Sequence, residues 1–307
     1  MESRPAWRAW VTLLRPPNLL TVPGDPLAGY LLAAAGTAAI AGPALAAVLA
    51  ASLLLYAAGL LSNDYFDRAE DARDRPSRPI PSGAVPPSAV LIAALILSGL
   101  GLAAAACAGP DALAVAAVLC GLVWVYNVGA KRHAPAGVTT MGFCRGVNLV
   151  LGAAAAGHPM APPVLWAAGG LVVYIMAVTH VARGETAAHR VGWPRWAPML
   201  ALTVTLGFLP HWLVRAWDHP PAGEGLGQFA LTLASLAAFW AGKCGLDLRG
   251  VAAPALIQRS VGGWIRGLLL VQAALCAMAG RGGGPGVVAL LLAFPLAAWL
   301  SRSFYGS

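Results

Sequence analysis

The sequence predicts an all-α polytopic membrane protein, a bundle of nine or ten spans around a central cavity. Three observations carry that expectation. Hydrophobic residues make up 59% of the chain and charged residues only 10%, whereas a soluble domain carries about 25% charge. Mean hydropathy is +0.71. Apolar runs of about 18 or more residues, the length that crosses a ~30 Å hydrocarbon core, recur from end to end.

The runs fall at 17–41, 43–66, 86–108, 111–130, 136–157, 161–182, 196–217, 226–246, 260–280 and 285–303. Glycine (36) and proline (24) are frequent, but in lipid they bend helices rather than abolish them. Residues 1–15 carry Arg4, Arg8, Arg15, Trp7 and Trp10. That mixture predicts an amphipathic interfacial helix rather than a cleavable signal peptide. One integral membrane domain over 1–307 is expected, without a soluble insert.

The formal net charge of +8 marks topology rather than nucleic acid. With the N-terminus in the cytosol and ten spans, the basic residues of 4–15, 68–78, 131–132, 183–195, 243–266 and Arg302 all fall on one side. Only Arg215 and Arg281 fall opposite, and Arg145 lies within a span. This is the positive-inside pattern. It places the N-terminus and the longer polar loops in the cytosol, with a bacterial inner membrane as the expected location. Cys107, Cys120, Cys144, Cys244 and Cys276 sit in apolar runs without metal-ligand spacing and read as small buried hydrophobes. His133, His158, His189, His211 and His219, like Trp193, Trp196, Trp212 and Trp217, read as interfacial.

The chemistry concentrates in Leu60–Gly83, which holds five of the twelve acids. At 100° per residue, Asp64, Asp67, Asp71, Asp74 and Asn63 share an arc of about 100° on one helix face, with Glu70 and Arg68 read as pointing elsewhere. Crowded carboxylates near a membrane require compensation. A hard divalent ion such as Mg²⁺, which takes carboxylate, water and phosphate oxygens, supplies it. Arg73, Arg75 and Arg78 follow in a loop stiffened by Pro76, Pro79 and Pro81, and guanidinium forks match phosphate oxygens. Metal-binding carboxylates beside anion-binding arginines describe a diphosphate site. The plainer alternative is a solvated helix end whose charges pair with one another.

This segment resembles the first aspartate-rich motif of the UbiA-type intramembrane prenyltransferases, N-D-x-x-D-x-x-x-D and then R-P-x-P-x-G. Here it reads Asn63, Asp64, Asp67, Asp71, then Arg78-Pro79-Ile80-Pro81-Ser82-Gly83. Arg15-Pro16-Pro17-Asn18 and Tyr126 through Lys131-Arg132 resemble further family segments, and the spacing agrees to about residue 190. The resemblance implies Mg²⁺, a prenyl diphosphate, a small acceptor and prenyl transfer inside the membrane. It implies Asn63, Asp64, Asp67 and Asp71 at the metal, and Asn63, Arg75, Arg78, Lys131 and Arg132 at the diphosphate.

One departure stands out. Where the family carries a second aspartate-rich motif, this chain has Tyr174 to Arg190 with a single acid, Glu185. Glu185 is the candidate second metal ligand, Arg183 a diphosphate clamp and His180 a base lining the cavity; mutual pairing of Arg183 and Glu185 is the alternative. The run Thr179 to Glu185 resembles the divergent EboC-like branch of the family. Arg145 and Asn148, one turn apart within a span, are expected to face the interior with Asn18 and Tyr126 as acceptor-side residues. Asp25 is another polar intruder, and Pro26 and Gly29 beside it predict a local break. A transport or lipid-binding protein on the same scaffold is the rival reading. A CDP-alcohol phosphotransferase is set aside because its spaced aspartate pattern is missing.

Overall fold

The computed structural model describes residues 6–35, 42–216 and 224–304. The described residues form helices and connecting turns, with one isolated bridge between His189 and Ala252. The helices are α1 (Ala6–Leu14), α2 (Pro16–Leu19), α3 (Gly24–Ala33), α4 (Gly42–Asp74), α5 (Pro87–Ala108) and α6 (Pro110–Val128). They continue as α7 (Ala134–Ala155), α8 (Pro162–Ala182), α9 (Ala197–Ala216), α10 (Glu224–Leu246), α11 (Pro254–Met278) and α12 (Gly284–Phe304). Among the described residues nine helices, α4 to α12, are long and apolar enough to cross a membrane.

The expected first span, 17–41, is not continuous. Arg15, at φ 45°, separates α1 from α2, and the chain breaks again between Leu19 and Gly24 before α3. Ten residues of helix span only about 15 Å, half a hydrocarbon core. All of α3 except Leu27 is buried, so protein rather than lipid surrounds it. The break frees backbone carbonyls, and neighbouring side chains satisfy them. Thr21 O accepts from Gln272 Nε2 (2.7 Å) and Arg145 Nη2 (3.3 Å), and Val22 O accepts from Asn148 Nδ2 (3.3 Å). An interrupted helix survives at membrane depth only with such partners. Residues 36–41 of the expected span lie outside the described residues, as do residues 1–5 of the N-terminal segment, whose remainder forms α1.

The second span exceeds its expected limit of 66. As one 33-residue helix, α4 is about 50 Å long, so its last turns, which carry the acids, outrun a ~30 Å core. Pro76 ends it, and the loop behind turns through Gly83 at φ 75°.

Helix α3 packs between α7 and α11, α4 against α5, α7 against α8, and α10 against α11. The α3–α7 contact is backbone to backbone. A Cβ on Gly29 would meet the carbonyl of Leu149, and one on Gly152 the carbonyl of Pro26. Helix α11 lies innermost, with 78% of its apolar window buried against 22% for α12. Outward faces carry Ile92, Leu95 and Ile96 on α5, Phe239 on α10 and Leu292 and Trp299 on α12, all exposed. A broad apolar exterior of this kind is what lipid solvates. Alternating helix directions put the C-terminal ends of α4, α6, α8 and α10 and the start of α11 at one end of the bundle.

Candidate diphosphate site

At that end opens a cavity of about 730 Å³. One wall is the acidic stripe of α4. Asn63, Asp67, Glu70, Asp71 and Asp74 line it at successive helical turns, with Arg75 and Arg78 from the following loop. This corrects the helix-face expectation at two residues. Glu70 lies at about −120° on the same wheel, only ~20° beyond Asn63, and it lines the cavity. Asp64, at the other edge of the arc, does not. It is buried behind the wall between Arg15 (Nη2–Oδ1 2.6 Å) and Arg78 (Nη1–Oδ1 3.5 Å).

Each carboxylate of the aspartate motif holds a cation. Asp71 is buried and pairs with Arg78 Nη1 at 2.7 Å. Asp67 pairs with Lys131 Nζ at 2.6 Å, and the same ammonium donates to Asn63 Oδ1 at 3.1 Å. The acids are therefore spaced by guanidinium and ammonium groups, and no preformed group of three metal-ligating side chains occurs among the described residues. The donor set still fits Mg²⁺: one amide and four carboxylates, all oxygen ligands on one cavity-facing stripe.

Across the mouth stand Glu185 and Thr186 of the α8–α9 loop and Pro254 and Gln258 of α11. Burial raises the pKa of Glu185 above the ordinary carboxylate value, and the nearby Arg75 guanidinium opposes the rise. Glu185 and Arg75 thus both line the mouth, close enough for their charges to interact.

Not every expected residue reaches the cavity. His180, Arg132 and Arg183 are exposed and absent from its lining, and Lys131, expected at the diphosphate, is absent from it too, its ammonium held by Asp67 and Asn63. Arg183 instead donates to the Lys131 carbonyl (2.9 Å), bracing the turn that carries Lys131. The alternative Arg183–Glu185 pair is not formed: no such ion pair occurs among the described residues.

Deeper in, Tyr56, Leu55, Val22, Leu119, Val123 and Met141 make a largely apolar chamber, with Asn18 and Tyr126 on its walls. At its far end Arg145 and Asn148 line the floor as expected, and they are also ion-paired and hydrogen-bonded. Arg145 Nη1 lies 3.1 Å from Asp25 Oδ2. Asn148 Nδ2 donates to Asp25 Oδ2 (3.1 Å), Ser52 Oγ donates to Asn148 Oδ1 (2.7 Å), and Gln272 Nε2 donates to Asp25 Oδ1 (2.6 Å). A buried charge at this depth requires such a partner set. Sequence reasoning missed Arg15, Ser52, Tyr56, Asn127, Gln258 and Gln272. For Asn127 and Gln272 the signal was present, since each is a lone amide in an apolar run. Asn127 donates to Gly59 O (3.0 Å) and Ser62 Oγ (2.8 Å), while its buried Oδ1 has no partner.

The profile of the UbiA prenyltransferase family matches residues 26–243. The chain belongs to that family. Among UbiA-fold structures, a digeranylgeranylglyceryl phosphate synthase is similar at TM-score 0.63 and 18% identity, over 89% of this chain and 98% of that one. A UbiA homologue from Archaeoglobus fulgidus bound to GPP and Mg²⁺ is similar at TM-score 0.56 and 14% identity, over 87% and 99%. The same homologue bound to DMAPP and Mg²⁺ gives 0.57 and 14%, over 95% and 98%. At these identities the likeness shows the UbiA fold alone. No functionally curated protein matches the chain. The family match stops before α11, so Gln258 and Gln272 lie beyond it.

Proposed function

We infer that this protein transfers a prenyl group from a prenyl diphosphate to a small acceptor within the membrane. The observation that carries the reading is the cavity itself: an oxygen-donor stripe and two loop arginines at its mouth, and an apolar chamber behind them. The two Archaeoglobus structures support it, each holding a short prenyl diphosphate and Mg²⁺ on this fold.

On this reading the diphosphate sits at the mouth, and Asn63, Asp67, Asp71 and Asp74, with Glu185 opposite, hold Mg²⁺. Bound there, Mg²⁺ neutralises charge on the departing diphosphate. The protein's own groups do the rest. Arg75 and Arg78 hold phosphate oxygens, and Lys131 keeps Asp67 and Asn63 in register. Engaging the ligand asks Arg78 to exchange the carboxylate oxygens of Asp71 and Asp64 for phosphate oxygens. The apolar walls, Leu55, Val22 and Leu119 among them, exclude water from the allylic carbon as its bond to diphosphate oxygen breaks and the electron pair leaves with diphosphate. The acceptor forms its bond to that carbon and loses a proton, which the departed diphosphate takes up. Asn18, Tyr126, Arg145 and Asn148 are assigned to the acceptor side. The mouth and the N-terminus face the cytosol, from the distribution of basic residues.

One observation favours the rival, non-catalytic reading: the motif's carboxylates are all engaged by cations, without a ready metal cluster. Lipid extracts of cells expressing the wild type and Asp67→Asn/Asp71→Asn separate the two. Transfer predicts a prenylated product, seen by mass spectrometry, that the double variant lacks. Identical extracts from a wild type that still binds prenyl diphosphate would favour the rival.

A further inference from the structure

Away from the cavity mouth, two loops at the same end of the bundle enclose a second concavity. It is an open groove of about 580 Å³ lined by Arg190, Gly192, Trp193, Arg195, Trp196, Arg249 and Gly250. Its shape is built in. Gly192 (φ 69°) and Gly250 (φ 73°) turn the loops through left-handed backbone that favours glycine. The loops are then tied together by His189 and Ala252, whose amides donate to each other's carbonyls (3.3 and 3.0 Å), and by Arg195 Nη1 donating to Leu248 O (3.3 Å). The Arg195 guanidinium lies 5.2 Å from the Trp196 ring centroid.

Arg190, Arg195 and Arg249 line this groove, and among the described residues none of them is within ion-pair distance of a carboxylate. The neighbouring acid, Asp247, pairs with Lys243 at 3.8 Å. Elsewhere at this end Arg15, Arg78 and Lys131 each hold an aspartate. Guanidinium forks without an internal anion match phosphate oxygens. The groove lies where α10 ends at Leu246 and α9 begins at Ala197, at the ends of two candidate membrane spans. Trp193 and Val251, 73% and 67% exposed, project beside the arginines. A free inorganic anion has no use for that apolar rim, whereas the glycerol and upper acyl region of a phospholipid packs against it.

We propose that Arg190, Arg195 and Arg249, with Trp193 and Trp196, bind the phosphate headgroup of an anionic phospholipid, at a site separate from the catalytic cavity. The loop that lines the groove is the loop that carries Glu185, so the bound lipid also anchors the cavity mouth at the membrane surface.

The test is native mass spectrometry of the purified full chain with phosphatidylglycerol, phosphatidylcholine or inorganic phosphate. Phosphatidylglycerol is expected to be retained over phosphatidylcholine and released as salt is raised. Arg190→Gln/Arg249→Gln should weaken it roughly 25-fold, at about fivefold per arginine, while elution volume and helical circular dichroism stay unchanged. Trp193→Ala should weaken phosphatidylglycerol and leave inorganic phosphate unaffected. Equal retention of the two lipids, or equal retention of phosphatidylglycerol by wild type and a folded double variant, overturns the site. Inorganic phosphate binding as tightly as phosphatidylglycerol overturns the lipid assignment. Should the double variant not fold, the wild type's salt dependence decides alone: retention insensitive to salt contradicts a headgroup held by arginines.

Discussion

Glu185 is the residue on which the proposed chemistry turns, because it lines the cavity mouth with Arg75 and is the one acid proposed to stand in for the second aspartate motif. Glu185→Gln preserves size and hydrogen bonding but removes the charge. It should lower turnover at least roughly tenfold, equivalent to ~1.4 kcal/mol of barrier, with Glu185→Asp retaining more. The pH profile supplies a second reading of the same role. Burial raises the pKa of Glu185, so its ionised fraction falls, as pH drops, at higher pH than for an ordinary glutamate. The acid limb of diphosphate binding, which an ionised Glu185 supports, should therefore lie at higher pH than an ordinary glutamate would give. Arg75→Gln removes the opposing charge and should move the limb higher still, and Glu185→Gln should abolish it. A limb that stays fixed in all three proteins would place the titrating group elsewhere. Much of this was legible in the sequence, since the one-face alignment of Asn63, Asp67, Asp71 and Asp74 needs only helical periodicity. The exchange of Asp64 for Glu70 on the cavity wall was not. Periodicity gives the angle of a side chain, but the axis of the facing wall is set by where Arg15 and Arg78 draw Asp64.

At the scale of elements, the bundle depends on α3 lying flush against α7. Gly29 and Gly152 allow this, each facing the other helix's backbone carbonyl. Gly152→Ala should cost on the order of 1–3 kcal/mol of stability, as overpacking does. The check is a lower unfolding midpoint in detergent, whereas Gly121→Ala, which meets only open space, should leave the midpoint unchanged. Equal midpoints for both variants would contradict the close approach. Hydropathy alone reads residues 17–41 as a span, and there it fails for a physical reason. An apolar run is equally suited to lipid and to a protein interior, and only packing tells them apart. Asp25, Pro26 and Gly29, read as marking a break, lie inside α3, and the break itself precedes them, between Leu19 and Gly24. Gln272, which completes the partner set of Asp25 (2.6 Å) from 247 positions away, is visible only in three dimensions.

For the whole molecule, most basic residues and the cavity share one end of the bundle, and the proposed orientation rests on the first. With the N-terminus cytosolic, single cysteines placed in a cysteine-free background at 80, 133 or 187 should resist an impermeant thiol reagent in intact cells. Labelling at 133 from outside would reverse the orientation. On the proposed reading the acidic stripe of α4 makes diphosphate binding metal-dependent through the cavity's oxygen donors, whatever the acceptor. The most direct measurement is a titration of geranyl diphosphate into the purified protein, in Mg²⁺ and again in EDTA, for the wild type and Asp67→Asn/Asp71→Asn. Binding in Mg²⁺ should be at least roughly tenfold tighter than in EDTA, about 1.4 kcal/mol, and the double variant should lose that difference. Equal affinity with and without metal in the wild type would contradict the account.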